Sequence, residues 1–521
     1  MRKKNTFLML VLCTLFLASC TTIKQHNENL VALKSVESLN SDVDYIYAKL
    51  QKMHPKLYWY ITKEKFDFKI DSLKKSISKP MTSLDFYKKL APVIKTIGQG
   101  HLSLTPGSKQ FTKDESKALV KKGIGPFSQF DLEIFNDKLY VVKNKSYDKK
   151  IKVGTELVAI NGQKTNDLIK KYKTWFASDG YNTTFLDRVA ARRIGTYFTV
   201  ENGIQEKVDF DFKFNDSLKT TTINRGIVDS VKLDKNKKPI VVKTTRDERK
   251  AKAKKNDFYG YNAERKLFNR NFKFTEKDSV TAIMKINGFS IGGYRKFYEN
   301  SFLRLKNNNT KTLIIDLRDN GGGRLAEIEK LYSYLALEDF IFQDKVEVVS
   351  KTSMFKREYF KGGSIGAKIL KLAGATVLYP YMYFNTKKDV DNKYYYGSLN
   401  PKPQKINENA FKGKIYVLIN GGSFSASSII SSNLKGSKRA FFVGQETGGG
   451  YNGTVAGQMP IVTLPASNIK AKIGLMADLP HYKTEVIGHG IYPDKKIIPT
   501  IQDRISGKDP EMEWILEEIK K

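Results

Sequence analysis

Cysteine is almost missing from this 521-residue chain, which carries only Cys13 and Cys20, and histidine is scarce at five residues. Two thiols cannot build a disulfide framework, and five histidines cannot supply an array of zinc fingers. Acidic residues are also few: 54 stand against 90 Lys and Arg, leaving a formal charge of +36. Such an excess suits nucleic acid as a partner wherever the two can meet. Apolar residues are not scarce, because 40% of the chain is hydrophobic and 12% aromatic, which rules out a disordered tail. At ~150 residues per domain the length suggests roughly three or four structural units. No long internal repeat is visible.

The first twenty residues decide where the charge can act. Arg2, Lys3 and Lys4 form a positive start, and Phe7 to Ala18 is a nearly continuous apolar run too short to span a bilayer comfortably. This is the pattern of a cleaved signal peptide over residues 1–19. Leu17-Ala18-Ser19-Cys20 resembles the bacterial lipobox, which implies acylation of Cys20 and a lipid anchor on the mature protein. Loss of the three basic residues lowers the charge to +33 (36 minus 3), and export removes cytoplasmic nucleic acid as a partner. Scattered surface lysines need no partner, and anionic membrane surfaces or acidic polymers remain available. With Cys13 discarded and Cys20 acylated, no thiol is left for a disulfide or a metal. No cofactor and no metal site is expected.

Past Cys20, residues from about Thr21 to Leu39 are polar and read as a tether. Ser41 with Asp44 resembles a capping box, with Val43, Ile46, Leu50 and Met53 following at helical spacing and His54-Pro55 ending the run. His54 itself reads as a packing or capping residue. A second helix opens at Thr82 with Asp85, carries Phe86, Leu90, Ile94 and Ile97 on one face, and stops at Gly98. It delivers Gln99-Gly100-His101 to a short alternating segment, so His101 sits where a helix gives way to a strand. From about Gly123 to Tyr172 the pattern is of strands: DLEIF, a turn at Asn136-Asp137, KLYVVKN, then GTELVAINGQ and a helix from Thr165. Gly154 to Gly162 resembles a stretch of PDZ domains, which grip extended peptides by strand addition; a plain hairpin with an Asn-Gly turn is the alternative. Residues 235–256 form a basic run read as a solvated linker or loop. Beyond it, short β-rich runs alternate with helical stretches, which argues an α/β core. Tyr379, Tyr381, Tyr383 and Phe384 alternate as a strand would.

Two glycine-rich turns in that core could carry chemistry. LIIDLRDNGGG runs a buried strand into Gly321, Gly322 and Gly323 with a helix directly after, a place where backbone N–H groups and a helix N-terminus favour an anion. The stretch also matches G-x-G-x-x-A. A dinucleotide site is disfavoured because Arg318, Asp319 and Asn320 separate strand from glycines, and a Walker loop lacks its Gly-Lys-Ser/Thr. KIYVLINGGSFSASSIISSNLKG is a strand, a tight turn and a helix opened by small residues, the arrangement in which a serine is exposed as a nucleophile. On local pattern Ser423, Ser425, Ser427 and Ser428 all compete. His481 and His489 could line the cleft, and no metal-ligand spacing surrounds them.

TLIIDLRDNGGG, SFSASSIISSNLKGSKRAFFVGQETGGG and Gly488-His489-Gly490-Ile491-Tyr492-Pro493-Asp494 together resemble the S41 peptidases, the carboxyl-terminal processing and tricorn-type proteases. The resemblance implies an α/β fold: a ClpP/crotonase-like catalytic core with an N-terminal helical domain and a PDZ-like β-rich domain. The implied division is 1–19 signal peptide, 20–120 tether and helical domain, 121–234 PDZ-like domain, 235–256 linker, 257–505 catalytic domain and 506–521 C-terminal helix. It implies Ser425 as nucleophile and N–H groups of Gly322, Gly323 and Ala426 as the oxyanion hole. Where Ser-Lys members carry their lysine, this chain has Gly450, so no Ser-Lys dyad is expected. The tricorn-like branch uses a histidine in a Gly-His motif, which is His101 here, and an imidazole titrating near neutrality suits a proton shuttle. Gln99 stands where many relatives have Asp. For the acid the family suggests Glu485, with Glu446 in reserve. The implied activity is a serine endopeptidase acting on extended or unfolded peptides outside the cytoplasm, on the periplasmic side of an outer membrane if the cell has one. The alternative is a catalytically weak peptide- or ligand-binding lipoprotein that keeps the fold.

Overall fold

The computed structural model describes residues 22–226, 245–275, 279–356, 364–397 and 401–521. The signal region, Cys20 and residues 235–244 lie outside the described residues. Three helices follow a short one at Ile23–Val31: Val36–Met53, Lys63–Ser76 and Ser83–Lys95. Thr22, Ser35, Thr62 and Thr82 cap these four by accepting a backbone N–H from three residues on. Leu39, Val43, Ile46 and Leu50 form one stripe at helical spacing, fully buried against Phe66, Phe86 and Leu90. Two expectations change here. The first long helix is capped by Ser35, not Ser41, and the segment expected to be a tether holds one helix and the first buried turn of the next.

The next unit is an antiparallel sheet in the order Phe130–Phe135, Lys138–Asn144, Glu156–Ile160, Lys207–Phe214, Ser217–Asn224. Its Asn136-Asp137 and Asn161-Gly162 turns have positive φ, as tight hairpins require. Helices Thr165–Lys173 and Thr184–Asn202 pack on it, and its apolar face merges with the core of the N-terminal helices. The basic run continues differently from a linker: Arg246–Tyr259 is an exposed helix with a Thr245–Glu248 capping box, because the Lys and Arg residues are good helix formers once a cap is present.

The third unit is built on a six-stranded sheet in the order Arg270–Phe274, Thr281–Ile286, Thr312–Asp316, Lys414–Ile419, Phe441–Gly444, Lys495–Lys496; the first pair is antiparallel and the rest parallel. Both faces are covered, which is why its central strands read as continuous apolar runs. Leu313, Ile315, Ile415 and Val417 point into a core shared with the helices Tyr294–Asn307, Leu325–Ser333 and Ala426–Gly436. Ile314, Tyr416 and Leu418 point the other way, against Ile515 of helix Pro510–Lys520. This is the mixed α/β architecture expected. One assignment is corrected: Tyr379, Tyr381, Tyr383 and Phe384 belong to a helix, Ile365–Asn385, not to a strand.

A small sheet joins the first unit to the third. Ser103–Thr105, directly after His101, pairs with Lys470–Lys472, with Leu104 opposite Ala471. The strand pairing therefore docks the end of the N-terminal helical unit onto the segment between the last two strands of the core sheet.

Candidate active site

Two parallel strands end side by side, and the turns leaving them are tied together by polar side chains. Asn420 accepts the N–H of Asp319 and of Gly422, each at 2.9 Å. Asn320, fully buried, donates to Ile286 O and accepts from Gly322 N–H at 2.9 Å, while its own carbonyl accepts from Phe424 N–H and Ser427 Oγ. Asp319 takes the guanidiniums of Arg188 and Arg192 at 3.2 and 2.8 Å. Burial would raise its pKa, but the two arginines outweigh that and hold the carboxyl low. Farther along, Glu327 is fully buried with Arg270 at 2.7 Å and also receives Arg324 and the Tyr298 hydroxyl. These bonds fix the glycine turn before its helix begins.

The four competing serines separate cleanly in this frame. Ser423, Ser427 and Ser428 are buried, and each hydroxyl donates to a backbone carbonyl: Leu317, Asn320 and Ser423 respectively. Ser425 is partly exposed, and its hydroxyl has no hydrogen bond among the described residues. It caps the helix Ala426–Gly436 with φ 58° and ψ −122°, a conformation costly for a residue with a Cβ and characteristic of functional turns. Gly322 has φ +97°, and a Cβ there would lie 2.7 Å from Ser425 Cβ, so only glycine allows the two turns this approach. Of the three expected oxyanion donors, Gly322 has its N–H engaged by Asn320. The N–H groups of Gly323 and Ala426 have no acceptor among the described residues.

His101 reaches the same place from the other side. Its ring centroid lies 4.8 Å from that of Phe424, the residue before Ser425, and Phe424 is stacked on Phe185 at 4.5 Å. Gly100 permits this contact, since a Cβ there would sit 2.7 Å from Phe424 Cζ. The Nε2 of His101 is buried without a partner. Burial, with the charge of Lys472 adding to it, pushes the imidazole down to about 4, so it is neutral at neutral pH. Gln99 is buried with no partner for its amide.

The structure places the acidic candidates apart. Glu485 is exposed and makes no hydrogen bond or ion pair among the described residues. Glu446 accepts the N–H of Gly490 at 2.8 Å and lies 3.3 Å from His489 Nδ1. His54 is buried at its helix end, both ring nitrogens unpartnered, and burial pushes it down to about 3. Among the described residues no cluster of three His, Cys, Asp or Glu side chains is placed to hold a metal ion.

One residue escaped the sequence reading. Asp179, 1% exposed, accepts the N–H of Gly100 at 2.8 Å and of Gly450 at 3.2 Å, with the Thr454 hydroxyl at 3.4 Å. It thus joins the turn that carries His101 to the glycine loop beside Ser425, where Gly449 approaches the Ser425 N–H. Burial raises its pKa to about 6 against the pull of those amides. Next to it, Gly180 donates to Gly98 O and Tyr181 to Gly488 O. The only local signal was an Asp-Gly pair, which reads as an ordinary turn.

Residues 280–497 match the family model described as Peptidase family S41. No curated protein sequence matches the chain. Among solved structures, mature CPAF superposes with a TM-score of 0.60 at 15% identity, covering 93% of this chain and 97% of that one. Mature CPAF complexed with lactacystin gives 0.60 at 14%, covering 93% and 98%. The photosystem II D1 C-terminal processing protease is 12% identical over 89% of this chain and 94% of that one, with a TM-score of 0.41. At such identities the likeness to mature CPAF is one of fold.

Proposed function

Because this chain is a serine-type peptidase of family S41, we propose that it is an endopeptidase in which Ser425 is the nucleophile and His101 the base. The observation that carries the assignment is Ser425 itself, the one serine of the Ser423–Ser428 run whose hydroxyl is unbonded and partly exposed, held at positive φ. Its Oγ attacks the scissile carbonyl as its proton passes to His101. The tetrahedral oxyanion is met by the free N–H groups of Ala426 and Gly323, aided by the positive end of the helix that starts at Ala426. His101 then returns the proton to the leaving amine, and water hydrolyses the acyl-enzyme by the same route. The neutral state of His101 suits a base, and an approaching substrate supplies the partner its buried nitrogen lacks. Asp179 stands in for the acid that many relatives carry at the position of Gln99, acting on the backbone of Gly100.

The substrates are extended or unfolded polypeptides, and the β-rich unit over 121–234 is a PDZ-like holder for them. The protein works outside the cytoplasm, acylated at Cys20 and, where the cell has an outer membrane, facing the periplasm from it. Cleavage of an unfolded polypeptide, read by mass spectrometry, tests this reading. Wild type cuts within the chain and the Ser425→Ala and His101→Ala variants do not; equal cleavage by either variant removes that residue from its role. Glu485→Gln that retains full activity removes Glu485 from the machinery. Loss of membrane retention in Cys20→Ala tests the anchor, and unchanged retention contradicts it.

A second reading has its own support. Glu485 is exposed and unbonded, and His101 Nε2 has no partner. Both fit a protein that binds peptides and turns them over slowly; tight peptide binding with no cleavage over long incubation would select it.

A further inference from the structure

Helix Ile365–Asn385 has the wrong surroundings for its composition. It is apolar on nearly every side, and a helix of that kind is stable when something covers it. Among the described residues only a narrow stripe faces the protein: Ala375 and Met382 are buried, and Tyr379 packs on Phe355. Large side chains point outward along the rest, with Ile369 64%, Leu370 75%, Leu372 56%, Val377 74% and Phe384 73% exposed. Contiguous apolar surface of this extent marks a contact site.

The charges select the occupant. From residue 359 to residue 388 the sequence has no Asp or Glu. Lys368 and Lys371 stand exposed in the first turns, and Lys387 and Lys388 stand exposed just past the end, beside Tyr381, Tyr383 and Phe384. An apolar face bounded by cations at both ends, with aromatics next to one set, matches the boundary between acyl chains and anionic headgroups. A second copy of the same face would bring lysines against lysines, which disfavours self-pairing. Among the described residues no helix is long and apolar enough to cross a membrane, so this one lies along the surface.

We infer that helix Ile365–Asn385 is a membrane-docking element that seats its exposed apolar face on an anionic lipid surface. The inference does not rest on the peptidase assignment or on acylation of Cys20, though such an anchor would hold the same surface nearby.

The test uses the full chain with Cys13→Ser and Cys20→Ser, so that an environment-sensitive fluorophore can be placed at Leu372→Cys, and a control fluorophore at Lys252→Cys on the exposed helix Arg246–Tyr259. Vesicles of phosphatidylcholine with about one-third phosphatidylglycerol are added, with bromine on the acyl chains as quencher. The expected result is a blue shift and strong quenching at position 372, weakened by salt, with no change at position 252. Hydrogen exchange of the unsubstituted full chain provides a second measurement, with amides of residues 369–384 slowed by about tenfold or more when the vesicles are present. No change at position 372 and no added protection overturns the inference. So does an equal response to neutral phosphatidylcholine vesicles, or a blue shift that grows with protein concentration or with an unfolded polypeptide in the absence of lipid.

Discussion

Replacing Asp179 by Asn separates a positioning role from bulk stability, because the carboxylate binds amides from both sides of the cleft. Oδ1 holds Gly100 N–H and Oδ2 holds Gly450 N–H. Asparagine keeps one acceptor and turns an NH2 group toward the other amide, leaving a buried donor unpaired at a cost of about 1–3 kcal/mol. The ionised carboxylate is itself unfavourable where it sits. Its folded pKa of about 6 lies above the ordinary carboxylate value, so the folded state binds the proton more tightly than the unfolded state does. Stability therefore declines as pH rises from the unfolded pKa through about 6, by about 3 kcal/mol in all if the unfolded value is ~3.9. Asp179→Asn should flatten that decline, so its measured loss of stability is smaller at neutral pH than at pH 4. Activity should respond differently. A shift of the His101 turn by a fraction of an ångström should lower kcat/KM by roughly 10- to 100-fold. In the wild type the acidic limb of the kcat/KM profile should fall near 6, as Asp179 takes a proton and loosens one amide. In the variant that limb should move down toward about 4, where His101 itself becomes protonated. The assay is a pH series on a fluorogenic peptide alongside urea melts at each pH. A variant with full kcat/KM, or one whose acidic limb stays where the wild type has it, refutes the positioning role.

Three further outcomes follow from the same geometry. Ser423→Ala and Ser427→Ala should each destabilise the fold by about 1–2 kcal/mol in urea melts, through the buried hydrogen bond that each hydroxyl donates, while keeping a reactive Ser425. Gly100→Ala should cost about 1–3 kcal/mol of stability and lower kcat sharply, because the added methyl must displace the buried Phe424 ring against which His101 rests; unchanged turnover would contradict that. Arg270→Met should cost about 3 kcal/mol, since it leaves the fully buried Glu327 with only Arg324 and the Tyr298 hydroxyl, and the double change Arg270→Met with Glu327→Leu should recover much of it.

The parts legible in the sequence are those written in local pattern. Thr82 as a cap, the Asn136-Asp137 turn, the helix from Thr165 and the two buried strands of the core sheet could all be read from spacing and turn chemistry. Misreadings arose where a local signal had a rival. Ser41 resembled a cap, but Leu39 is already buried in a helix that Ser35 opens. Tyr379 to Phe384 alternate, yet they close a helix whose apolar surface is largely uncovered. Ser425 could not be separated from its neighbours by spacing, because the distinction lies in which hydroxyls find carbonyls across the turn. Asp179 could not be found at all, since its partners at Gly100 and Gly450 lie 79 and 271 residues away.

In the proposed mechanism Ser425 is an activated nucleophile served by His101. A fluorophosphonate probe, followed by mass spectrometry of the labelled peptide, measures this directly. One adduct is expected, on Ser425, abolished in Ser425→Ala and strongly reduced in His101→Ala. An adduct on Ser423, Ser427 or Ser428, or undiminished labelling of either variant, would contradict it.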